Sequence, residues 1–194
     1  MVASLDDRIA VWAATHRIGA LNDFFVALGT VERLGAIWIL SALALGIAQR
    51  RGTAQTIALG VATGVTAFVA DAVSFAVKDL TNRERPFEAH PVIHPLYVVH
   101  SSSFPAGHAA TALAGAVLLS LIAPRFWPLF LGFAAAVCYS RVYVGVHYPT
   151  DVLAGAAIGS VVAAAAYAAL RLLGHRRPFT GIGDRVDELR PREA

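Results

Sequence analysis

Five apolar stretches, over 33–49, 54–77, 106–123, 128–146 and 151–173, take up most of this 194-residue chain. Each comes near the roughly 20 residues that a helix needs to cross the hydrocarbon of a bilayer. The first and third are short for a span, and flanking Gly, Ala and Thr residues can extend each into the interface. Composition agrees, with 57% of residues hydrophobic and only 15% charged, and a mean hydropathy of +0.60. The last two stretches carry small residues at Gly155, Ala156, Gly159 and 163–166. In lipid such positions let helices approach closely, which favours a bundle over separate anchors. The expectation is an all-α integral membrane protein whose core is a compact bundle of about five transmembrane helices.

The segment ahead of these stretches has another pattern. Leu5, Ile9, Trp12 and Ala13 fall on one helical face, opposite Asp6, Asp7 and Arg8, which reads as an amphipathic interfacial helix with room for a second short one over 20–28. The chain therefore divides into an interfacial segment over 1–32, a transmembrane domain over 33–173 and a charged, Pro- and Gly-containing tail over 174–194, expected to be mobile and cytoplasmic. No basic start followed by an apolar run marks a cleavable signal peptide. Cys138 is the only cysteine, so no intrachain disulfide forms. A net charge of +3 could suggest nucleic acid, but the basic residues sit at segment ends and form no stripe with interleaved aromatics. Arg50 and Arg51, Arg125, and Arg171 with His175, Arg176 and Arg177 fall on one side of such a bundle, which marks that side as cytoplasmic. The protein is expected in the plasma membrane as a multi-pass chain.

Three polar blocks break the apolar background and, with this topology, meet on the extracytoplasmic face. In the first, Lys78 and Arg85 precede a stiffening Pro86. Snorkelling cations at an interface would look alike, but two cations on a short tether also grip a phosphate, one as a point charge and one as a fork. In the second, Pro105, Ala106, Gly107 and His108 open the third stretch, so a helix N-terminus with room at Gly107 points at an anion and His108 is placed as a general acid. In the third, Ser140 and Arg141 precede His147, and Asp151 lies four residues further on, beyond a turn through Pro149. An Asp one turn from a His can accept its Nδ1–H and leave Nε2 free as a nucleophile, and Thr150 is placed to cap the last helix. Asp71, Ser74 and Lys78 form one helical stripe, so the intramembrane Asp71 is expected to face the site in a supporting role. His90, His94 and His100 have no metal-cluster spacing, and no metal is assigned to them. Phe87, Leu96, Tyr97 and Phe104 are expected to cap the pocket or rest on the membrane.

Taken in order, Lys78-x6-Arg85-Pro86, Pro105-Ala106-Gly107-His108 and Ser140-Arg141-x5-His147-x3-Asp151 resemble the three signatures of the type 2 phosphatidic acid phosphatase superfamily, over about residues 30–173. The resemblance implies that Lys78, Arg85 and Arg141 bind phosphoryl oxygens with the backbone at Gly107. His147 would form a phosphohistidine, Asp151 would orient it, and His108 would act as acid and then base, with no metal or other cofactor. One departure stands at Ala106, where the family usually carries a phosphate-bonding Ser. Losing such a bond to a charged group costs about 1.5–3 kcal/mol unless it is replaced; Ser102, Ser103 and Arg83 are the candidates to replace it.

The implied activity is removal of the terminal phosphate from a lipid phosphate or pyrophosphate in the bilayer, with bacterial isoprenoid-pyrophosphate phosphatases the nearest match in length. Phosphatidylglycerophosphate, phosphatidate and a polyprenyl-phosphosugar stay open as substrates, as does a homo-oligomer. Other readings are a lipid phosphotransferase and a non-catalytic lipid-binding protein. The soluble haloperoxidases of the superfamily fit poorly a chain made mostly of spans.

Overall fold

The structure is a computed structural model and describes residues 4–32 and 35–173; the expected tail over 174–194 lies outside them. Among the described residues all regular structure is helical. The elements are α1 (Leu5–Thr15), α2 (Asn22–Glu32), α3 (Ala36–Ala48), α4 (Thr53–Thr81), α5 (Pro86–Ala89), α6 (Gly107–Ile122), α7 (Trp127–Tyr143) and α8 (Pro149–Leu173), with single 3-10 turns at Gly19–Leu21 and Pro124–Phe126.

The helix ends follow from local chemistry. Ser4 and Asp7 form a reciprocal capping box at the start of α1, where each side chain takes the other residue's backbone N–H. The long α4 stops at Asn82, which takes the left-handed conformation (φ 42°) that Asn tolerates better than most residues. Pro86 opens α5 at a position where a missing N–H costs nothing.

The five apolar stretches correspond to α3, α4, α6, α7 and α8. Thr53–Ala89 and Pro149–Leu173 are long and apolar enough to cross a membrane, and the bent pair Gly19–Glu32 with Ala36–Ala48 makes a third if counted as one span. The 16 residues of α6 are shorter and reach only about 24 Å at 1.5 Å per residue. Large apolar side chains such as Leu40, Val61, Val65, Phe68, Phe75, Leu129, Leu153 and Val161 face outward. A water-facing surface avoids such a continuous apolar exterior, and lipid favours it.

Helix α6 is the centre, packed against α4, α7 and α8. Its contact with α8 is close because Gly155 lies against the carbonyl of Ala106 and Gly159 against that of Ala110, where a Cβ would collide with backbone. The small residues expected to bring helices together do so here. On the other flank Trp38, Leu45, Leu59, Leu119, Phe130 and Val137 fill a core between α3, α4, α6 and α7.

Two N-terminal details differ from the sequence reading. Ala13 is buried, together with Ala10 and Ala14, while Leu5, Ile9 and Trp12 are exposed. Helix α1 thus packs on α7 and α8 through its small residues. Helix α2 does not lie apart from the bundle: it packs against α7, α3 and α6, and buried Glu32 accepts a hydrogen bond from Thr111 Oγ1 of α6.

Candidate active site

The C-terminal ends of α4 and α7 and the N-terminal ends of α6 and α8 are joined by polar contacts, so they share one end of the bundle. Lys78 Nζ donates to the Ser102 carbonyl (2.9 Å), the Ala106 N–H to the Asp151 carbonyl (2.9 Å), and Arg85 Nη1 to the Val146 carbonyl (2.7 Å). All three polar blocks of the sequence therefore meet. Arg50, Arg51 and Arg125 lie in the connections at the opposite helix ends.

Arg85 is the N-cap residue of α5, and its N–H is held by the Glu88 side chain (2.8 Å). Its own side chain turns inward, is only 2% exposed, and also donates to the Ser101 carbonyl (2.8 Å). Arg141, in the last turn of α7, is 1% exposed. It donates to Ser140 Oγ (3.0 and 2.9 Å), the Tyr97 hydroxyl (2.7 Å) and the Phe25 carbonyl of α2 (3.2 Å). Buried guanidinium groups need such partners. Most of these partners are neutral carbonyl or hydroxyl oxygens, which an arriving phosphoryl group can outbid because charge-assisted hydrogen bonds are roughly twice as strong.

His147 lies in the turn between α7 and α8. Gly145 reverses the chain there at φ 85°, in the region that favours glycine, and the Val146 and His147 N–H groups point back to the Arg141 carbonyl (3.4 and 3.3 Å). The imidazole is 4% exposed. Burial first, and then Arg85 and Lys78, hold its pKa down to about 4 against the opposing pull of Asp151, so it is neutral at pH 7. Its Nδ1 lies 3.6 Å from Asp151 Oδ2, which is contact and not yet a hydrogen bond, and Nδ1 is otherwise unpartnered. Asp151 is fully buried and held on both oxygens: Oδ2 accepts from Ser103 Oγ and from the Tyr148 N–H (2.8 Å), and Oδ1 from Arg83 Nη1. The carboxylate is fixed, and a shift of about 0.6 Å brings the histidine into hydrogen-bond range.

His108 is the second residue of α6, half-buried, facing the Gly29 backbone and within electrostatic reach of His147, Arg141 and Lys78. Ala106, fully buried, precedes it at the N-cap position with no side-chain cap. Its side chain packs with Ala13, Ala109, Val142 and Val152. Asp71 faces the start of α6, its Oδ1 3.1 Å from where a Cβ on Gly107 would stand.

The candidates to replace the missing Ser hydroxyl are all otherwise engaged. Ser103 donates to Asp151, Ser102 Oγ accepts the Arg83 N–H (3.0 Å), and Arg83 bridges Asp151 and Asp6. Thr150 does not cap α8, which begins one residue earlier at Pro149; its hydroxyl donates to Asp6 Oδ2 (2.6 Å). Phe87, Leu96 and Tyr97 pack with Phe25, Tyr143 and Val146 in the protein, and Tyr97 also reaches Arg141. His90 meets Asp7 (3.1 Å).

Several residues at this end carried no signal for site chemistry in the sequence. Phe25 meets Arg141 through its carbonyl, and Gly29 lies against Arg141 where a Cβ would collide, and neither role marks a site residue in the sequence. Asp6 was legible as charge, but its partners lie 77 and 144 positions away.

Comparison with known proteins bears on the same residues. The family model described as the PAP2 superfamily matches residues 55–174, which include all three polar blocks. The undecaprenyl-diphosphatase of Sulfolobus acidocaldarius is 34% identical over 150 residues, covering 75% of this chain and 68% of that protein. The decaprenylphosphoryl-5-phosphoribose phosphatase of Mycobacterium tuberculosis is 35% identical over 128 residues, covering 66% of this chain and 68% of that protein. In fold, the chain resembles the first transmembrane PAP2 type phosphatidylglycerolphosphate phosphatase from Bacillus subtilis, with a TM-score of 0.66 at 22% identity over 89% of this chain and 86% of that one. With its three motifs gathered at one end of an all-helical bundle, the chain belongs to the PAP2 superfamily.

Proposed function

We propose that the protein is a membrane phosphatase that removes the terminal phosphate of an isoprenoid pyrophosphate or a related lipid phosphate through a phosphohistidine on His147. The observation that carries this reading is a buried, neutral His147 beside a fixed Asp151, with Lys78, Arg85, Arg141 and His108 gathered at the same end of the bundle. His147 Nε2 attacks phosphorus as the bond from phosphorus to the leaving oxygen breaks. His108 gives that oxygen a proton, and Asp151 accepts the Nδ1–H of the imidazolium as charge develops. A water molecule then attacks the phosphohistidine, His108 takes its proton, and inorganic phosphate leaves. Lys78, Arg85 and Arg141 stabilise the phosphoryl oxygens, with the uncapped first turn of α6 at Gly107 as a further anion-binding group; Ala106 is not part of it, because its N–H is taken by the Asp151 carbonyl. Asp71, Ser103 and Arg83 support this set, the last two by holding Asp151.

In this reading α3, α4, α6, α7 and α8 cross the membrane, α1 lies in the interface with Leu5, Ile9 and Trp12 toward lipid, and the site opens on the extracytoplasmic face. The arginines at the opposite helix ends support that orientation. A charged site at headgroup level leaves the lipid tail in the bilayer, which suits a polyprenyl substrate. The similarity to a decaprenylphosphoryl-5-phosphoribose phosphatase favours a second reading, a polyprenyl-phosphosugar monoester. A phosphate-release panel in detergent decides between them, comparing isoprenyl pyrophosphates, a polyprenyl-phosphosugar, phosphatidate and phosphatidylglycerophosphate. The first reading expects the isoprenyl pyrophosphates to have the highest kcat/KM and His147→Ala to abolish release. Turnover confined to the phosphosugar would favour the second, and no release from any of them refutes both.

A further inference from the structure

The Asp151 carboxylate that faces His147 is itself held from outside the three motifs. Arg83 Nη1 donates to Asp151 Oδ1, and its Nη2 donates to Asp6 Oδ2 of α1 at 2.6 Å. Asp6 uses both oxygens: Oδ1 accepts the Thr150 N–H at 3.0 Å, and Oδ2 accepts the Thr150 hydroxyl as well as Arg83. The guanidinium lies 4.1 Å over the Tyr148 ring, which fixes its plane. The capping box between Ser4 and Asp7 starts α1 so that Asp6 falls in its first turn, and buried Ala10, Ala13 and Ala14 seat the helix on the bundle. Asp6 thus meets the first turn of α8 and the arginine that grips Asp151.

We infer that Asp6 is a positioning residue for the His147–Asp151 pair, acting through Arg83. The physical reason is that Asp6 anchors the guanidinium that holds Asp151. Arg83 Nη2 is fixed on Asp6 while Nη1 donates to Asp151 Oδ1 and to the Thr150 hydroxyl (2.8 Å), so Asp151 keeps Oδ2 turned toward Nδ1 at 3.6 Å. Without the charge on Asp6, Arg83 loses one of its two carboxylate anchors, its hold on Asp151 Oδ1 loosens, and the carboxylate is set less firmly against the histidine. Asp6 touches neither substrate nor nucleophile, so its loss should affect the chemical step and spare binding.

The inference rests on the phosphatase reading, and its test separates the two. Steady-state kinetics of the full chain in detergent, on its best lipid phosphate, compare wild type with Asp6→Asn, Asp6→Glu, Arg83→Ala and the Asp6→Asn/Arg83→Ala double variant, each first checked for a monodisperse size-exclusion peak. Asp6→Asn keeps the shape and loses the charge; it should lower kcat about tenfold with KM within about twofold, as when a charge-assisted bond is reduced to a neutral one about half as strong. Asp6→Glu keeps the charge and should stay within about threefold of wild type. In the Arg83→Ala background, Asp6→Asn should add less than about twofold, because coupled residues are not additive. Asp6→Asn at wild-type kcat, Asp6→Glu as slow as Asp6→Asn, or fully multiplicative losses would each overturn the inference. An inactive wild type refutes the phosphatase reading itself.

Discussion

Replacing Gly29 by Ala should disable the enzyme without removing any group that touches phosphate. Gly29 lies on α2, and a Cβ built on it would stand 2.6 Å from Cζ of Arg141, with both terminal nitrogens nearer still. Non-bonded carbon atoms sit about 3.5 Å or more apart, so the guanidinium has to retreat by about 0.9 Å at Cζ and further at its terminal nitrogens. It has no slack to do so: Arg141 is 1% exposed and tied to Ser140, Tyr97 and Phe25. A misplacement of about 1 Å in a group that positions a substrate can cost about 100-fold in rate, and that is the loss expected in kcat/KM for Gly29→Ala. Intrinsic helix propensity pulls the other way, since Ala is about 0.5–1 kcal/mol better than Gly inside a helix. The assay is phosphate release from lipid phosphate in micelles, paired with thermal unfolding of the same samples. A variant that stays folded and loses about 100-fold supports the account. One with wild-type kcat/KM would show that Arg141 does not have to sit where the structure holds it, and the reasoning fails.

Other consequences are simpler to state. Asp151→Asn cannot accept the Nδ1–H as an anion, and by analogy with other His–Asp pairs kcat should fall by about 10²–10⁴ with KM little changed in steady-state kinetics; a loss under threefold contradicts the orienting role. The pH dependence of stability follows from His147, whose pKa is held down to about 4 in the folded protein against about 6.5 unfolded. Between these values the unfolded state binds more protons, so the contribution is complete above about pH 6.5 and is lost as pH falls toward about 4, up to about 3 kcal/mol. Thermal unfolding in detergent at pH 7 and pH 4.5 should therefore show a smaller acid-induced drop for His147→Ala than for wild type; equal drops would count against a buried neutral histidine. Phosphate release should be unchanged in excess chelator, since the proposed steps use only side chains, and strict dependence on an added divalent metal would overturn that scheme.

The sequence made the chemical groups legible because they are costly where they stand. Lys78, Arg85, Arg141, His147 and Asp151 break long apolar runs, and an ionisable group in such a setting calls for a partner or a function. The small residues of α8 were legible for a similar reason, as Gly155 and Gly159 leave room that only a close helix can fill. What stayed hidden is what tertiary approach creates. Phe25 offers a carbonyl that any residue carries, and nothing in the sequence marks Gly29 until Arg141 is placed against it. Asp6 and Asp7 looked like the polar side of an interfacial helix because their partners, Arg83, Thr150 and His90, are distant in the chain. Thr150 fitted a helix-start pattern, but α8 begins one residue earlier and the hydroxyl turns to Asp6. Ala106 was legible as a departure; its burial with Ala13, Val142 and Val152 shows that a small apolar side chain suits the packing there.

In this mechanism His147 takes the phosphate. The most direct test mixes the protein with a lipid pyrophosphate radiolabelled in its terminal phosphate, quenches within one turnover into alkaline detergent, which preserves phosphohistidine, and locates the label by peptide mass spectrometry. A transient label is expected on His147 and is absent from His147→Ala. Label on another residue, or a full turnover of released phosphate with no labelled protein at any time point, would contradict it.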